Sequence, residues 1–406
     1  MWMSKRKFSF NTLILNGFTI VSTIISVIAL AIIFFFVFKE GSHLLSIDLL
    51  RGDYHAQNYI GTLLNNEEKT FIVPVEIEEG MFVVTRYGIV LQQAYDLAGD
   101  SIIRVHYIDT NSPLYQLKNT DPTTNEPTVG LRPGMILRRI SYYEHPTSLT
   151  SRGASMMAND LNDTDREIRE VIFSLDGGGI RGSIITTLYL IGLTLLFALP
   201  FGILTAIYFN EFAPVNRITK TMRNFIETLT GVPSIIYGLL GITVFVPLTV
   251  RLTPASNANL IAGALTLSVI LLPVIIRTTE EALKVVPNEY RWAAFALGAN
   301  KTQTTFKVIL KESLPGILTA TFLGIGRVIG ESAALIFVLG AAVKDQINIF
   351  EPSTSLAVHI WSMMTDEPAN IALSSTIALI ILFIVLILNI SIKMTVYLFD
   401  WKGRYS

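Results

Sequence analysis

Six stretches of this chain are long and apolar enough to cross a lipid bilayer, and they limit the possible folds more than any other feature. Five carry no charge at all: Asn11–Phe38, Gly182–Asn210, the stretch between Glu227 and Arg251, the one between Arg251 and Arg277, and the one between Glu367 and Lys393. The sixth, Pro315–Val343, is interrupted by Arg327 and Glu331. A hydrocarbon core of ~30 Å takes about 20 helical residues. Lipid offers no partners for backbone N–H and C=O groups, so uncharged runs of this length are expected to be helices. The chain therefore reads as an all-α polytopic membrane protein with six transmembrane helices. Its composition agrees: 51% hydrophobic and 16% charged residues, with a mean hydropathy of +0.51. The first run follows Lys5-Arg6-Lys7, as a signal peptide would. It exceeds the roughly 7–15 apolar residues of a signal sequence, and no small-residue cleavage site follows, so it is expected to be a retained span.

Orientation follows from Lys and Arg in the short segments. With the N-terminus in the cytoplasm, the inner segments hold fifteen basic residues, and the short outer loops hold only Arg251 and Lys344. Both termini are thus expected on the cytoplasmic side of a cell (inner) membrane. The polar segment 39–181 then becomes an extracytoplasmic insert between the first helix, within 1–38, and a core of five helices, 182–406. "TFIVPVEIEEGMFVVTRYGIVLQ" and "SIIRVHYID" alternate apolar and polar residues, as half-buried strands do, and predict a β-rich or α+β insert. "SMMANDLNDTDREIREVIF" reads as a polar connector with a short helix. From Lys39 to Gly182 there are 20 acidic and 13 basic residues, a net of −7, which repels rather than gathers anions.

Several classes of chemistry drop out. There is no cysteine, hence no disulfide and no thiolate metal site, and the five histidines show no metal-ligand spacing. No metal and no cofactor is expected. A net charge of −1 gives no global field for nucleic acid. Asp176-Gly177-Gly178-Gly179-Ile180-Arg181-Gly182 matches the glycine-rich oxyanion segment of patatin-like lipid acyl hydrolases. Such an enzyme also needs a serine on a G-x-S-x-G elbow, and the chain contains none. The glycines are expected instead to ease the chain into the second membrane helix.

Two features carry mechanism. Arg327 and Glu331, at i and i+4, would share one face of the fifth helix near mid-bilayer, with Gly324, Gly326 and Gly330 leaving room beside them. A charge there costs at least ~2.5–3.5 kcal/mol. Two readings are open on the residues alone: an ion pair that fixes helix packing, or a guanidinium facing a polar route for an anion, with Glu331 orienting it. The second feature is the inner loop 277–314, in which Glu289, Tyr290, Arg291, Trp292, Ala293, Ala294 and Leu297 form an amphipathic helix with Ala293, Ala294 and Leu297 on one side, stopped by Gly298. Its apolar patch would meet either a protein partner or the membrane surface.

At these residues the sequence resembles the transmembrane permease subunits of ABC importers, whose loop carries Glu-Ala-Ala, three residues, then Gly. Ala293-Ala294 and Gly298 match, and Val308-Ile309-Leu310 falls where the family's trailing apolar residues stand. Trp292 replaces the usual Glu, and Lys311 the usual Pro. "GGGIRGSIITTLYL", "IYFNEFAP", "ETLTGVPSIIYGLLG" and "ALGANKTQTTFKVILKESLPGILTATFLGIGRVIGESAAL" further resemble the A-type permeases of phosphate-specific importers. The resemblance implies a non-catalytic subunit that pairs with a second permease, two copies of a cytosolic ATPase and an extracytoplasmic phosphate-binding protein. It implies that Arg327, Gly330 and Glu331 belong to the phosphate path, and that Glu289–Ala294 and Gly298 dock on the ATPase, with Glu289 or Arg291 in place of the missing Glu. The absence of any Gly-Lys dipeptide, and so of a phosphate loop, fits such a divided machine. A permease for another oxyanion, such as sulfate or molybdate, shares the same physics.

Overall fold

A computed structural model describes residues 10–64, 70–72, 77–95, 101–120, 127–175, 177–365 and 369–403. Asp176, Lys5–Lys7, Glu367 and residues 73–76 of "TFIVPVEIEEG" in the arguments above lie outside them. The chain divides into two compact units, Met1–Ile47 with Ile180–Ser406, and Asp48–Gly179. The insert was expected at 39–181. The first helix runs on to Gly41, and Lys39–Ile47 group with the helical unit.

Among the described residues, five helical stretches are long and apolar enough to cross a membrane: Asn16–Leu44, Arg181–Phe212, Ser234–Leu252, Leu260–Val285 and Ile371–Met394. Leu260–Val285 is the centre of the unit and buries fifteen of its residues. It packs on Arg181–Ile207 and on Leu314–Gly330. Leu190, Ala198, Leu267, Ile270, Leu271, Ile275 and Val328 fill the space between them. In lipid, small and hydroxyl side chains at such crossings draw helices together. Ser268 Oγ donates to the Thr194 carbonyl at 3.1 Å, and Gly202 lies against Ile275, where a Cβ would come within 2.6 Å. The first helix packs along the last one. There Gly41 sits on the Ser375 backbone and its carbonyl accepts from Thr376 Oγ1 at 2.9 Å. The rest of its apolar surface, from Phe18 to Phe38, is exposed apart from the half-buried Val37.

The expected fifth span is not one helix. Just before it, Lys301–Glu312 and Leu314–Gly330 meet at a bend of 64°, and counting that pair as one span would make six among the described residues. At the other end the chain breaks again before the helix Ala333–Leu339. Glu331 takes extended backbone angles (φ −80°, ψ 118°) rather than continuing the helix.

In the second unit, one nine-stranded sheet is built from β1 (Gln57–Leu63), β2 (Met81–Val84), β3 (Ile89–Tyr95), β4 (Ser101–Ile108), β5 (Leu117–Asn119), β6 (Thr128–Val129), β7 (Ile136–Tyr142), β8 (Ser148–Leu149) and β9 (Ile168–Leu175). The order is β2-β3-β4-β7-β9-β1-β5-β6, with β8 paired to β7. All described pairings are antiparallel. The alternation in "MFVVTRYGIVLQ" and "SIIRVHYID" becomes β2, β3 and β4. The supposed connector holds the helix Ala154–Asn162, but it also supplies β9, a central strand between β7 and β1. Its flanking Asp and Glu residues obscured the apolar positions Ile168, Val171 and Phe173, all of them buried.

Tyr142, on β7, is buried, and this desolvation pushes its hydroxyl up to about 12 from the usual 10.0, against the lowering effect of its bond with Ser148. The proton is then held more tightly folded than unfolded. The resulting stability is complete below pH ~10 and is lost as pH rises toward ~12, amounting to about 2–3 kcal/mol at 1.36 kcal/mol per unit. Alkaline unfolding of the sheet, followed by circular dichroism, should therefore be shallower over that interval in Tyr142→Phe. An unchanged slope would contradict the assignment.

Candidate translocation face and coupling loop

The glycine segment 177–182 is closed to oxyanion chemistry by its own hydrogen bonds. Gly178 N–H donates to the Tyr54 carbonyl at 2.8 Å and Gly179 N–H to the Asp53 carbonyl at 3.0 Å, so neither amide is left for a ligand. Gly178 has φ +95°, and Gly179 lies so tightly on the Gly52 backbone that a Cβ would overlap it. Gly182 starts the second span against the Lys344 carbonyl, 2.7 Å from where a Cβ would stand. Gly179→Ala is expected to destabilise the insert by about 1–3 kcal/mol, the usual cost of overpacking. Thermal unfolding measures this, and an unshifted midpoint would contradict the close approach.

Arg327 stands on the last turn of Leu314–Gly330 and is exposed, as are Leu323 and Gly330. With Gly326 these residues recur at helical spacing on one face. A Cβ at Gly326 or Gly330 would meet nothing within 4 Å, whereas one at Gly324 would press on Leu271 at 3.1 Å. Of the three glycines, only Gly324 serves packing inside this chain. Among the described residues no ion pair joins Arg327 to Glu331, which corrects the expectation that they share a helical face. The helix ends between them, and Glu331 Oε1 accepts from Ala334 N–H at 3.2 Å, capping the next helix as an acidic N-terminal residue does. Glu331 thus holds the break that leaves Arg327 at a helix end. Ala333–Leu339 packs on Ser234–Leu240 with backbone against backbone, since a Cβ at Gly238 would come 2.9 Å from Ala334 Cα. Arg327 lies within electrostatic reach of Tyr237 there, whose hydroxyl donates to the Leu229 carbonyl at 2.8 Å.

The loop helix forms at Asn288–Ala296 and ends at Gly298 with φ +83°. Gly298 N–H donates to the Phe295 carbonyl and Ala299 N–H to the Ala294 carbonyl, at 2.9 and 3.1 Å. This paired closure needs a left-handed residue after the helix, hence glycine. Ala294 is buried, whereas Ala293 and Leu297 point outward, so the three do not share a side as expected. Glu289 is exposed, and the outer face is aromatic and apolar: Tyr290 is 44% exposed, Trp292 64%, Phe295 45% and Leu297 89%. Arg291 is not on it. Its Nη2 donates to Glu211 Oε1 at 2.7 Å, with the two side chains 17% and 9% exposed. Sequence reasoning missed Glu211 because its partner lies 80 residues away.

The family model described as "Binding-protein-dependent transport system inner membrane component" matches residues 198–402. The chain belongs to this family of ABC transporter permeases. It is a multi-pass membrane subunit without catalytic activity of its own, and the ATPase is a separate chain. Over 232 residues it is 34% identical to the probable ABC transporter permease protein YqgI of Bacillus subtilis (strain 168), covering 53% of this chain and 77% of that one. It is also 34% identical to the phosphate transport system permease protein PstA of Haemophilus influenzae, over 52% of this chain and 74% of the relative. A PstA homolog of Mycoplasma pneumoniae is 32% identical over 57% of this chain, which spans only 36% of that longer protein. The family match begins at Ala198 and leaves the nine-stranded insert outside it.

Proposed function

We propose that the chain is one half of the membrane channel of an ATP-driven phosphate importer, working with a second permease, a cytoplasmic ATPase dimer and an extracytoplasmic phosphate-binding protein. Both termini and the loop 277–314 then face the cytoplasm, the bent pair completes six spans, and the insert faces the binding protein. One observation carries this reading: Arg327, the one charge on the helix Leu314–Gly330, is exposed at its end beside open space at Gly326 and Gly330. Facing lipid, that charge would cost at least ~2.5–3.5 kcal/mol. Facing the opposite permease across a watery route, it can meet an anion with a planar fork of donors suited to phosphate. Phosphate is favoured among oxyanions by the likeness to the Haemophilus and Mycoplasma relatives. Glu331 acts as a shaper, keeping the break open while its own charge is partly spent on the Ala334 amide. Glu289, Tyr290, Trp292, Ala293, Phe295 and Leu297 form the ATPase-docking face, with Ala294 and Gly298 setting its shape and Arg291 holding it from behind. Transport proceeds by alternating access, the loop helix moving with the ATPases.

The test is co-purification and reconstitution. An ATPase and a second permease are expected to come with the chain, and vesicles holding all three should take up phosphate only with ATP and binding protein. Unabated uptake of labelled phosphate in excess sulfate or molybdate supports phosphate as the substrate. Equal competition by either would shift the assignment to that oxyanion.

A further inference from the structure

The second membrane-length helix ends in a π-helical turn, Tyr208–Phe212, where the i→i+4 ladder widens. Such turns recur at functional points in helices. Four neighbouring elements grip this one. Arg291, from the loop helix, donates to Glu211 Oε1 at 2.7 Å while its Nη1 donates to the Val286 carbonyl at 2.9 Å and its Nη2 to the Leu283 carbonyl at 3.3 Å. Arg223, from the helix Arg217–Thr230, donates to the Phe209 carbonyl at 2.6 Å and pairs with Glu280 of Leu260–Val285 at 3.0 Å. Lys301, at the next helix start, lies 5.4 Å from the Phe212 ring centre. Beneath these contacts Phe209 packs with Ile276, Leu283, Val286 and Ile309.

The loop helix itself is thinly attached. Ala294 is its one buried apolar side chain, and the aromatic face points away from the unit. Its firm polar tie to the body is the Arg291 guanidinium, shared among Glu211 and the carbonyls that close the preceding helix. An arginine with this fork of donors holds orientation as well as position. We propose that the Glu211–Arg291 pair is the joint that carries displacement of the loop helix into the second span. Both are positioning residues for transport, and Arg291 is not part of the ATPase contact. This rests on reading the loop helix as the ATPase-docking element.

The test uses the complete reconstituted complex and reads solute moved per ATP hydrolysed, counted per assembled complex, because removing one partner of a buried pair also lowers the yield of folded protein. Glu211→Gln and Arg291→Gln should each lower that ratio at least about tenfold, within the range of site-to-site couplings, while the ATPase stays bound and active. If the two form one joint, the double variant should be no worse than the more severe single. A ratio in assembled complexes within about twofold of the unaltered chain, where a purely structural pair would leave it, would overturn the proposal. So would effects that multiply in the double variant. Leu297→Asp, on the outer face, tests the docking reading separately and should strip the ATPase from the complex. If the ATPase stays bound, that reading fails whatever the joint variants show.

Discussion

Replacing Arg327 with Gln is expected to cut phosphate uptake roughly 10- to 100-fold while leaving the complex assembled. Among the described residues Arg327 has no ion pair or hydrogen bond to lose inside its own chain, and exposed substitutions of this kind usually change stability by no more than about 0.5 kcal/mol. What disappears is the charge-assisted contact with the passing anion, worth about 1.5–3 kcal/mol. At ~1.4 kcal/mol per factor of ten, this predicts a fall in uptake of roughly 10- to 100-fold. Arg327→Lys keeps the charge and loses the fork, so it should fall between the two. Uptake by proteoliposomes, normalised to co-purified partners, is the measurement. Wild-type rates in the Gln variant would remove Arg327 from the path.

Replacing Gly298 with Val should uncouple ATP hydrolysis from transport. Gly298 sits at φ +83°, where an ordinary L-residue costs ~1–2 kcal/mol and a β-branched one is an outlier. The helix end must then open, releasing the paired bonds to Phe295 and Ala294 and shifting Leu297. A Cβ there meets nothing within 4 Å, so the penalty is conformational and local to the loop. Transport per ATP hydrolysed is expected to drop at least about tenfold in Gly298→Val, and Gly298→Asn should retain most of it because Asn tolerates left-handed backbone. Equal ratios in both variants would count against a role for this helix end.

How much of this was legible in the sequence varied with the range of the interaction. The five uncharged apolar runs became helices because each satisfies its own backbone, a local requirement. The strands of "MFVVTRYGIVLQ" and "SIIRVHYID" were legible for a similar reason: their alternation records a buried face. β9 was masked because its apolar positions sit among Arg and Glu residues on the exposed face. The break at Glu331 was missed because an i,i+4 pair assumes a helix that continues, and nothing near Gly330 resembles a proline stop. Ala293 and Ala294 part company, one exposed and one buried, because adjacent residues point about 100° apart on a helix. The Glu211–Arg291 tie depends on the fold alone. The candidate site was therefore legible as residues and spacing, and its geometry was not.

The central claim is that Arg327 borders a watery route for an anion rather than lipid or dry packing. Because the chain has no cysteine, Gly326→Cys and Gly330→Cys each introduce the single thiol of this subunit, at positions with space for a side chain. Labelling of both in the assembled, reconstituted complex by a charged, membrane-impermeant thiol reagent, slowed by phosphate, is the predicted result. Thiols that react only with lipid-soluble reagents, or not at all in the folded complex, would contradict it.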